Sequence, residues 1–282
     1  MSAEWEEVLR KVNAFQERAT KRGSVVWYRG HRSSTWTAKS TLHRHVEDLV
    51  RGAGWDVPDF DKIDLLREEY KTLYYDFLSD AWPLLGPDER SDWGVIFSMQ
   101  HHGIPTRLMD WTESFACALY FAQLDRPSTD EAAIYALDPH GLNLQSIDRD
   151  GLVFLPGEAV KGTIDNRLWH PKYATPAKDL RTIAVKPPMT NKRMLAQRAA
   201  FTLSGDSFLP LEGQFAGKLG SEGYIEKITL PPQTFSDAES FVGLMGMGHY
   251  GYFPDFQGLR EKFRQKKATV LRNVRKYYPP PA

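Results

Sequence analysis

The sequence has few of the features that mark secreted or membrane proteins. Its 282 residues include a single cysteine, Cys117, so no disulfide can form within the chain, which fits a reducing compartment. No apolar run approaches the roughly 20 residues that a membrane-spanning helix needs. The N-terminal segment is acidic and amphipathic, unlike a signal peptide. We therefore expect a cytoplasmic protein with no membrane partner.

The common nucleotide and metal motifs are also absent. Neither GxGxxG nor GxxxxGK[ST] occurs, which argues against Rossmann and P-loop nucleotide binding. There is no HExxH motif or paired CxxC, and the neighbouring histidines His101 and His102 do not share a helix face, as is also true of His43 and His45. We expect no metal site. Cys117 lies among alanine and leucine residues, which favours a core position over a nucleophilic one.

The chain has no net charge, because 36 basic residues balance 36 acidic ones. The balance is uneven, however. The segment 259–276 contains eight basic residues and one acid, so it carries +7 and the rest of the chain −7. We expect a basic helix over 257–276. It either binds nucleic acid or is the solvated face of an ordinary helix.

Composition and periodicity indicate a globular α+β protein. The chain is 41% apolar, 26% charged and 12% aromatic, and its length suits one elaborated domain spanning 1–282. Helices dominate the first half and strands the second, which predicts a helical first half packed on a mixed or antiparallel sheet. The irregular stretch 138–181 is expected to be an insertion or lid. Hydrophobic spacing predicts helices over 3–20, 42–51, 63–77, 88–102, 113–123 and 257–276, and strands over 24–28, 132–137, 182–186, 199–204, 223–230 and 249–253.

The first group of candidate site residues is the run Trp27-Tyr28-Arg29-Gly30-His31. Here an arginine ends an aromatic strand and is followed by glycine, so its guanidinium is held rigidly with little steric cover. The guanidinium offers a planar fork of donors suited to phosphate or carboxylate. The alternative is an arginine that ties a loop to a buried carboxylate.

The second group is the segment Gln100–Thr112, with the sequence QHHGIPTRLMDWT. We expect this segment to be a loop between two apolar helices, with polar and titratable side chains around Gly103 and Pro105, which is where binding groups often collect. Asp110 or Thr112 is expected to cap the following helix. The alternative is a structural helix–loop–helix joint in which Arg107 pairs with Asp110.

The two groups together resemble the FRG domain, a family named for a Phe-Arg-Gly signature in which Tyr28 here replaces the phenylalanine. The long motif QHHGIPTRLMDWTESFACALYFA carries most of the resemblance. Further matches follow at 191–193 (NKR), 196–197 (AQ), 201–202 (FT), 253–255 (FPD) and 258–259 (GL), so the resemblance spans about 20–262. It implies a bacterial or phage setting, often among defence genes.

A weaker resemblance is to ADP-ribosyltransferases. These present an arginine or histidine from a first strand, follow with a polar strand leading into a helix with a pattern like ALYFA, and supply an acid from a late strand. The late acid would be Glu222, Glu226 or Asp255, and we favour Asp255, whose alternative role is a helix cap. The resemblance implies that NAD is a substrate. It implies catalytic roles for Arg29, His102, Thr112 and Asp255, and NAD-binding roles for Tyr28, Arg29, Gly30, His31, Gln100, Arg107, Asp110 and Trp111.

In that mechanism Arg29 holds the pyrophosphate, an aromatic ring such as Trp111 or Tyr120 stacks on nicotinamide, and a carboxylate stabilises the oxocarbenium-like ribose. The expected function is an ADP-ribosyltransferase-like toxin or phage-defence effector. Its expected partners are a nucleic-acid or protein acceptor and an antitoxin or defence partner. The alternatives are a non-catalytic sensor of nucleotides or phage products and a nucleic-acid-binding module.

Overall fold

A seven-stranded sheet with the order β4-β5-β6-β2-β1-β3-β7 runs through the middle of the molecule. The structure, a computed structural model, describes residues 1–155, 165–173, 179–189, 191–246 and 248–277. Neighbouring strands are antiparallel except β4 and β5, which are parallel. The strands are β1 (Trp27–His31), β2 (Leu108–Thr112), β3 (Ala132–Leu137), β4 (Val153–Phe154), β5 (Ile183–Lys186), β6 (Ala199–Leu203) and β7 (Ile225–Leu230).

Helices cover both faces of this sheet. Short 3-10 turns at Pro87–Arg90, Asn166–Trp169, Leu211–Gly213, Phe215–Gly217 and Pro232–Thr234 connect several of the elements. The α-helices in the described residues are α1 (Ala3–Lys21), α2 (Thr41–Gly52), α3 (Asp59–Ala81), α4 (Asp92–His101), α5 (Phe115–Gln123), α6 (Pro139–Ile147), α7 (Lys192–Ala196), α8 (Lys218–Ser221), α9 (Phe235–Leu244), α10 (His249–Tyr252) and α11 (Phe256–Tyr277).

Two groups of helices share one face of the sheet. The first group, α2, α3 and α4, packs on β2, β5 and β6 through side chains such as Leu66 and Phe201. The second, α1, α5 and α9, packs on β1, β3 and β7 through side chains such as Trp5 and Ile134. Because successive side chains of a strand point to opposite faces, the remaining strand residues meet α6 and α8 on the other face, around Trp27.

The expected α+β class is confirmed, as is a helical first half on a mixed sheet. The strand 132–137 has the expected bounds. The other helix and strand predictions agree with the structure to within a few residues, except at 108–112 and 249–253. One difference matters for function. The segment 108–112 was expected to be part of a loop, but it is the strand β2, paired along its whole length with β6.

Two further predictions about local structure are wrong. The segment 249–253 is the short helix α10 rather than a strand. Ser114 caps α5 by accepting from the Cys117 backbone N–H, so neither Asp110 nor Thr112 caps it, because both lie in β2. The stretch 138–181 contains α6 and β4, and part of it lies outside the described residues. Among the helices of the described segments, none has both the length and the apolar character of a membrane span.

Candidate functional site

A cavity of about 410 Å³ lies where the two central strands separate. Strands β1 and β2 pair at Tyr28 opposite Thr112, whereas β1 pairs with β3 along its whole length. Beyond that point, Arg29 and Gly30 of β1 and Asp110 of β2 line the opening. The cavity also lies between the two helical groups on that face, with α4 on one side and α5 on the other. A volume of this size suits a small-molecule ligand.

The glycine of the arginine-glycine pair is required by close packing. A Cβ atom on Gly30 would lie 1.9 Å from the Ala118 carbonyl oxygen and 2.7 Å from the Ala122 backbone nitrogen. Helix α5 therefore rests directly on the β1 backbone at this point. Any larger residue would push α5 away from β1 and deform the wall of the cavity.

The Arg29 guanidinium is fixed by two neutral acceptors. Its Nε donates to Nε2 of His31 at 3.0 Å, and its Nη1 donates to the Asp110 carbonyl oxygen at 2.6 Å. The Asp110 carboxylate lies 4.0 Å from Nη1. Within the described residues Nη2 has no hydrogen-bond acceptor, and the side chain is 20% exposed. Burial lowers the pKa of Arg29, and Asp110 opposes that effect. The guanidinium is thus oriented but retains donors for a ligand.

His31 forms a hydrogen bond with Arg29 but does not line the cavity. It is buried, and its ring lies edge-on to Tyr135 with centroids 5.2 Å apart. Burial, and then the charge of Arg29, lowers the pKa of His31 to about 3. A neutral ring that accepts at Nε2 carries its proton on Nδ1, which has no hydrogen-bond partner in the described structure. His31, for which the sequence predicts an NAD-binding role, therefore contacts Arg29 and lies outside the cavity lining.

The Asp110 carboxylate is held by a chain of side-chain hydrogen bonds. Gln100 donates from Nε2 to Asp110 Oδ2 at 2.6 Å. The Gln100 Oε1 atom accepts from the Thr106 hydroxyl at 2.5 Å, which fixes the orientation of the amide. Asp110 itself is 59% exposed. Gln100 and Asp110 both line the cavity, as the sequence predicts, and they place a carboxylate beside the Arg29 guanidinium.

A third wall comes from α7 and the residues around it. Asn191, Arg193 and Gln197 line the cavity there. Arg193 lies over the Phe253 ring, 4.6 Å from its centroid, and Phe253 in turn stacks on His249 at 4.6 Å. Phe253, stacked on His249, therefore holds Arg193 at the cavity wall by a cation–π contact.

The aromatic rings that are accessible in the cavity differ from those expected to stack on nicotinamide. Trp111 borders the cavity, but it is buried, and its indole nitrogen donates to Thr202 Oγ1 at 3.0 Å. Tyr120 is hydrogen-bonded to His249 at 2.6 Å and does not line the cavity. Trp36, which is 47% exposed, and the half-buried Phe121 also line it and present more accessible rings.

Three further side chains of the inner wall, those of Thr112, Tyr28 and Cys117, are buried. Thr112 is buried and donates to the Gln197 carbonyl oxygen at 2.6 Å. Tyr28 is buried, which raises its pKa to about 12, and its hydroxyl has no hydrogen-bond partner in the described residues. The Cys117 thiol lies in the inner wall, where burial raises its pKa to about 11. A neutral, poorly nucleophilic thiol agrees with the core position predicted for Cys117.

Besides His31, three residues predicted for the site lie away from the cavity lining. Arg107 is buried and donates to Asp206 at 2.9 Å, and it also donates to the Gly205 carbonyl oxygen at 2.6 Å. His102 is exposed at the C-terminal end of α4, and its neighbour His101 lines the cavity instead. Asp255 accepts from the Gly258 backbone N–H at 2.7 Å at the start of α11, which is the helix-cap alternative. Its place in the structure therefore provides no support for the catalytic role proposed from sequence.

Sequence reasoning left out several residues that line the cavity. Arg193 and Gln197 lie in the short motifs that carry the FRG resemblance, so the signal for them was present. The signals for Trp36, Arg32 and Asp125 were weak, since these residues come from irregular segments or from the end of a helix. Asp125 has a positive φ of 54°, a conformation rare for residues with a side chain. Within the described segments, no group of three or more His, Cys, Asp or Glu side chains has the geometry of a metal site.

Comparison with known proteins gives one match. No curated protein and no solved structure matches the chain at a significant level. A protein-family model matches the segment that runs from just before β1 to the residue before β3. This segment contains Arg29, Gly30, Gln100 and Asp110. The motifs near 191–202 and 253–259, which the sequence also relates to this family, lie beyond it. Residues 24–131 match the family model of the FRG domain, the family that the sequence motifs resemble.

Proposed function

We propose that the cavity binds NAD and that the protein is an ADP-ribosyltransferase-like enzyme. The observation that carries the proposal is the Arg29 guanidinium, fixed by His31 and the Asp110 backbone, 4.0 Å from the Asp110 carboxylate at the wall of a ligand-sized cavity. A cation and an anion held side by side are what NAD cleavage requires. The cation binds the pyrophosphate, and the anion stabilises positive charge that develops on the ribose.

The side chains around the cavity support a dinucleotide in particular. Three arginines, Arg29, Arg32 and Arg193, line it, and the two acids that line it in the described chain are Asp110 and Asp125. The arginines favour a phosphate-bearing ligand. The rings of Trp36 and Phe121 offer surfaces for the adenine and nicotinamide rings.

In the proposed reaction the bond between the ribose C1′ and the nicotinamide nitrogen breaks. Nicotinamide leaves with the bonding electron pair and becomes neutral. Asp110 stabilises the oxocarbenium-like ribose, a role that sequence reasoning gave to a late acid such as Asp255. An acceptor nucleophile then bonds to C1′ and loses its proton. The acceptor is a nucleic acid or a protein, and the setting is a bacterial toxin or phage-defence system with its own antitoxin or defence partner.

The test is release of nicotinamide from NAD by the purified full chain. Chromatography would follow nicotinamide, and NAD labelled in the adenylate part would report transfer to added DNA, RNA or protein. We expect Asp110→Asn to abolish release, because asparagine keeps the shape but not the charge. Arg51→Ala is the matched control, since Arg51 is 77% exposed and pairs with Asp48 away from the cavity. Absence of nicotinamide release, with or without added acceptors, would contradict the proposed enzymatic activity.

A second candidate is a sensor that binds a nucleotide without turnover. One observation favours it: Asp255, the late acid preferred from sequence, accepts from the Gly258 backbone N–H at the start of α11 and does not line the cavity. Calorimetric titration with NAD, ADP-ribose and other nucleotides separates the two functions. Binding that depends on Arg29 without nicotinamide release would support the sensor.

A further inference from the structure

The C-terminal helix α11 exposes a stripe of apolar side chains. Phe256, Phe263, Val270 and Val274 follow one another at intervals of seven and four residues, so they lie on one side of the helix. Between 44% and 91% of each of these residues is exposed. Helix α11 packs on α10 near its start. An exposed stripe with this spacing is typical of a helix that packs against a partner.

The charges beside the stripe restrict what that partner can be. Arg260, Arg264 and Lys267 are exposed on the same side of the helix. Two α11 helices placed side by side would bring like charges together, which disfavours pairing of α11 with itself. Nucleic acid would satisfy the positive charges but would leave the aromatic and aliphatic stripe in water. The surface that fits best is acidic and carries apolar side chains of its own.

The chain has such a surface on α3. This helix turns Leu66, Tyr70 and Tyr74 into the core. Its outward face is acidic, and it also carries Leu65 and Tyr75, which are 38% and 44% exposed. The lengths of the two helices agree, at 23 residues for α3 and 22 for α11. The exposed acids of this face are Asp61, Asp64, Glu68, Asp76 and Asp80.

We propose that α11 of one molecule docks on the outward face of α3 of a second copy of this chain. Within one molecule, α11 packs on α10 while α3 packs on α2 and α4. The exposed Trp82 and Leu84, just beyond α3, extend the apolar surface available to the stripe. Each copy carries both surfaces, so a reciprocal exchange closes a two-fold dimer, and a one-way contact builds a longer assembly. The proposal does not depend on the function of the cavity.

The experiment is sedimentation velocity on the full chain over a range of protein concentrations and salt. The wild type is expected to self-associate, and association should weaken by about tenfold or more between 50 and 500 mM salt, because screening acts on exposed charges. Two charge-reversal variants test the surfaces separately: Arg260→Glu with Arg264→Glu and Lys267→Glu on α11, and Asp61→Lys with Glu68→Lys and Asp76→Lys on α3. Each alone should be monomeric, and the six changes combined in one chain should restore association.

Circular dichroism and thermal melting would establish that every variant is folded. The proposal is overturned if the wild type is monomeric at all concentrations, or if its association is unchanged by both reversals. It is also overturned if the six changes combined fail to restore association while the protein remains folded. A monomeric wild type that binds duplex DNA or RNA, and loses that binding on reversal of α11, would assign the helix to nucleic acid. Nicotinamide release, measured on the same samples, reports the proposed activity of the cavity independently of self-association.

Discussion

Two arginines near the centre of the molecule show how the surroundings decide what a guanidinium does. Arg107 is buried and donates to three structural acceptors, namely the Asp206 carboxylate and the carbonyl oxygens of Ser204 and Gly205. Arg29 has two neutral acceptors and a carboxylate 4.0 Å away, and it lines a cavity. Sequence reasoning gave both a place in the binding site. The difference is that Arg107 is satisfied by its own protein, whereas Arg29 keeps donors for a ligand.

The largest expected effect is on stability, at Arg107. We expect Arg107→Ala to lower the free energy of unfolding by about 3–5 kcal/mol, because the buried Asp206 carboxylate loses one of its two arginine partners and keeps Arg67 as the other. Urea denaturation measures the effect. Arg51→Ala is the control and should change stability by less than about 0.5 kcal/mol, because its ion pair with Asp48 is exposed. A loss at Arg107 as small as in the control would remove the contrast between Arg107 and Arg29.

The second effect is on activity, at Arg29. We expect Arg29→Ala to stay folded, with a melting temperature within a few degrees of the wild type, and to lose nicotinamide release by roughly 10²–10³-fold. Arg29→Lys should not restore activity, because an ammonium group is a point charge and cannot reproduce the forked geometry of a guanidinium. A strongly destabilised Arg29→Ala protein would make Arg29 a scaffold residue like Arg107, and a fully active one would remove it from the site.

The third effect concerns the histidine beside each arginine. Burial, and then the neighbouring arginine, lowers the pKa of both His31 and His43 from 6.5 to about 3. The unfolded chain therefore binds protons between pH 6.5 and 3 that the folded chain does not. The stability from the neutral rings is complete above pH 6.5 and falls as the pH drops, by about 2 kcal/mol per histidine at pH 5.

Urea denaturation at pH 7.5 and pH 5 tests this dependence. His43→Asn should lose about 2 kcal/mol less than the wild type on acidification, whatever its stability at pH 7.5. His102→Gln is the control, because His102 is exposed at the end of α4 and should leave the difference unchanged. Equal acid sensitivity of wild type and His43→Asn would show that His43 is protonated in the folded protein.

The smallest expected effect is on ligand affinity, at His31. His31→Leu removes the acceptor of Arg29 Nε and loosens the guanidinium, so NAD binding should weaken by about tenfold, or about 1.4 kcal/mol. His31→Gln retains an acceptor and should bind NAD more tightly than His31→Leu. Calorimetric titration measures both. Unchanged affinity in the leucine variant would mean that Asp110 alone positions Arg29.

Local sequence patterns predicted most of the elements, because each element has its own hydrophobic period. The strand 132–137 and the helix beginning at Ala3 follow directly from such periods. The pattern failed for LMDWT, where the preceding glycine and proline suggested a continuing loop, and for 249–253, where aromatic residues suggested a strand. In both segments, pairing or packing with distant residues decided the conformation: β6 for the first, α7 and α11 for the second.

The sequence by itself predicted the α+β class, the match of residues 24–131 to the FRG family model, and the grouping of Arg29, Gly30, Gln100 and Asp110 around one cavity, because local patterns and contiguous motifs carry these features. Only the tertiary structure separated Arg29 from Arg107, placed His31 behind Arg29 and Asp255 at a helix end, and brought Trp36 and Arg193 to the cavity. The physical reason is that the partner of a side chain is set by burial and by contacts across the sheet. Asp206 lies 99 residues from Arg107 along the chain but only 2.9 Å from it in space, and no local pattern in the sequence contains that distance.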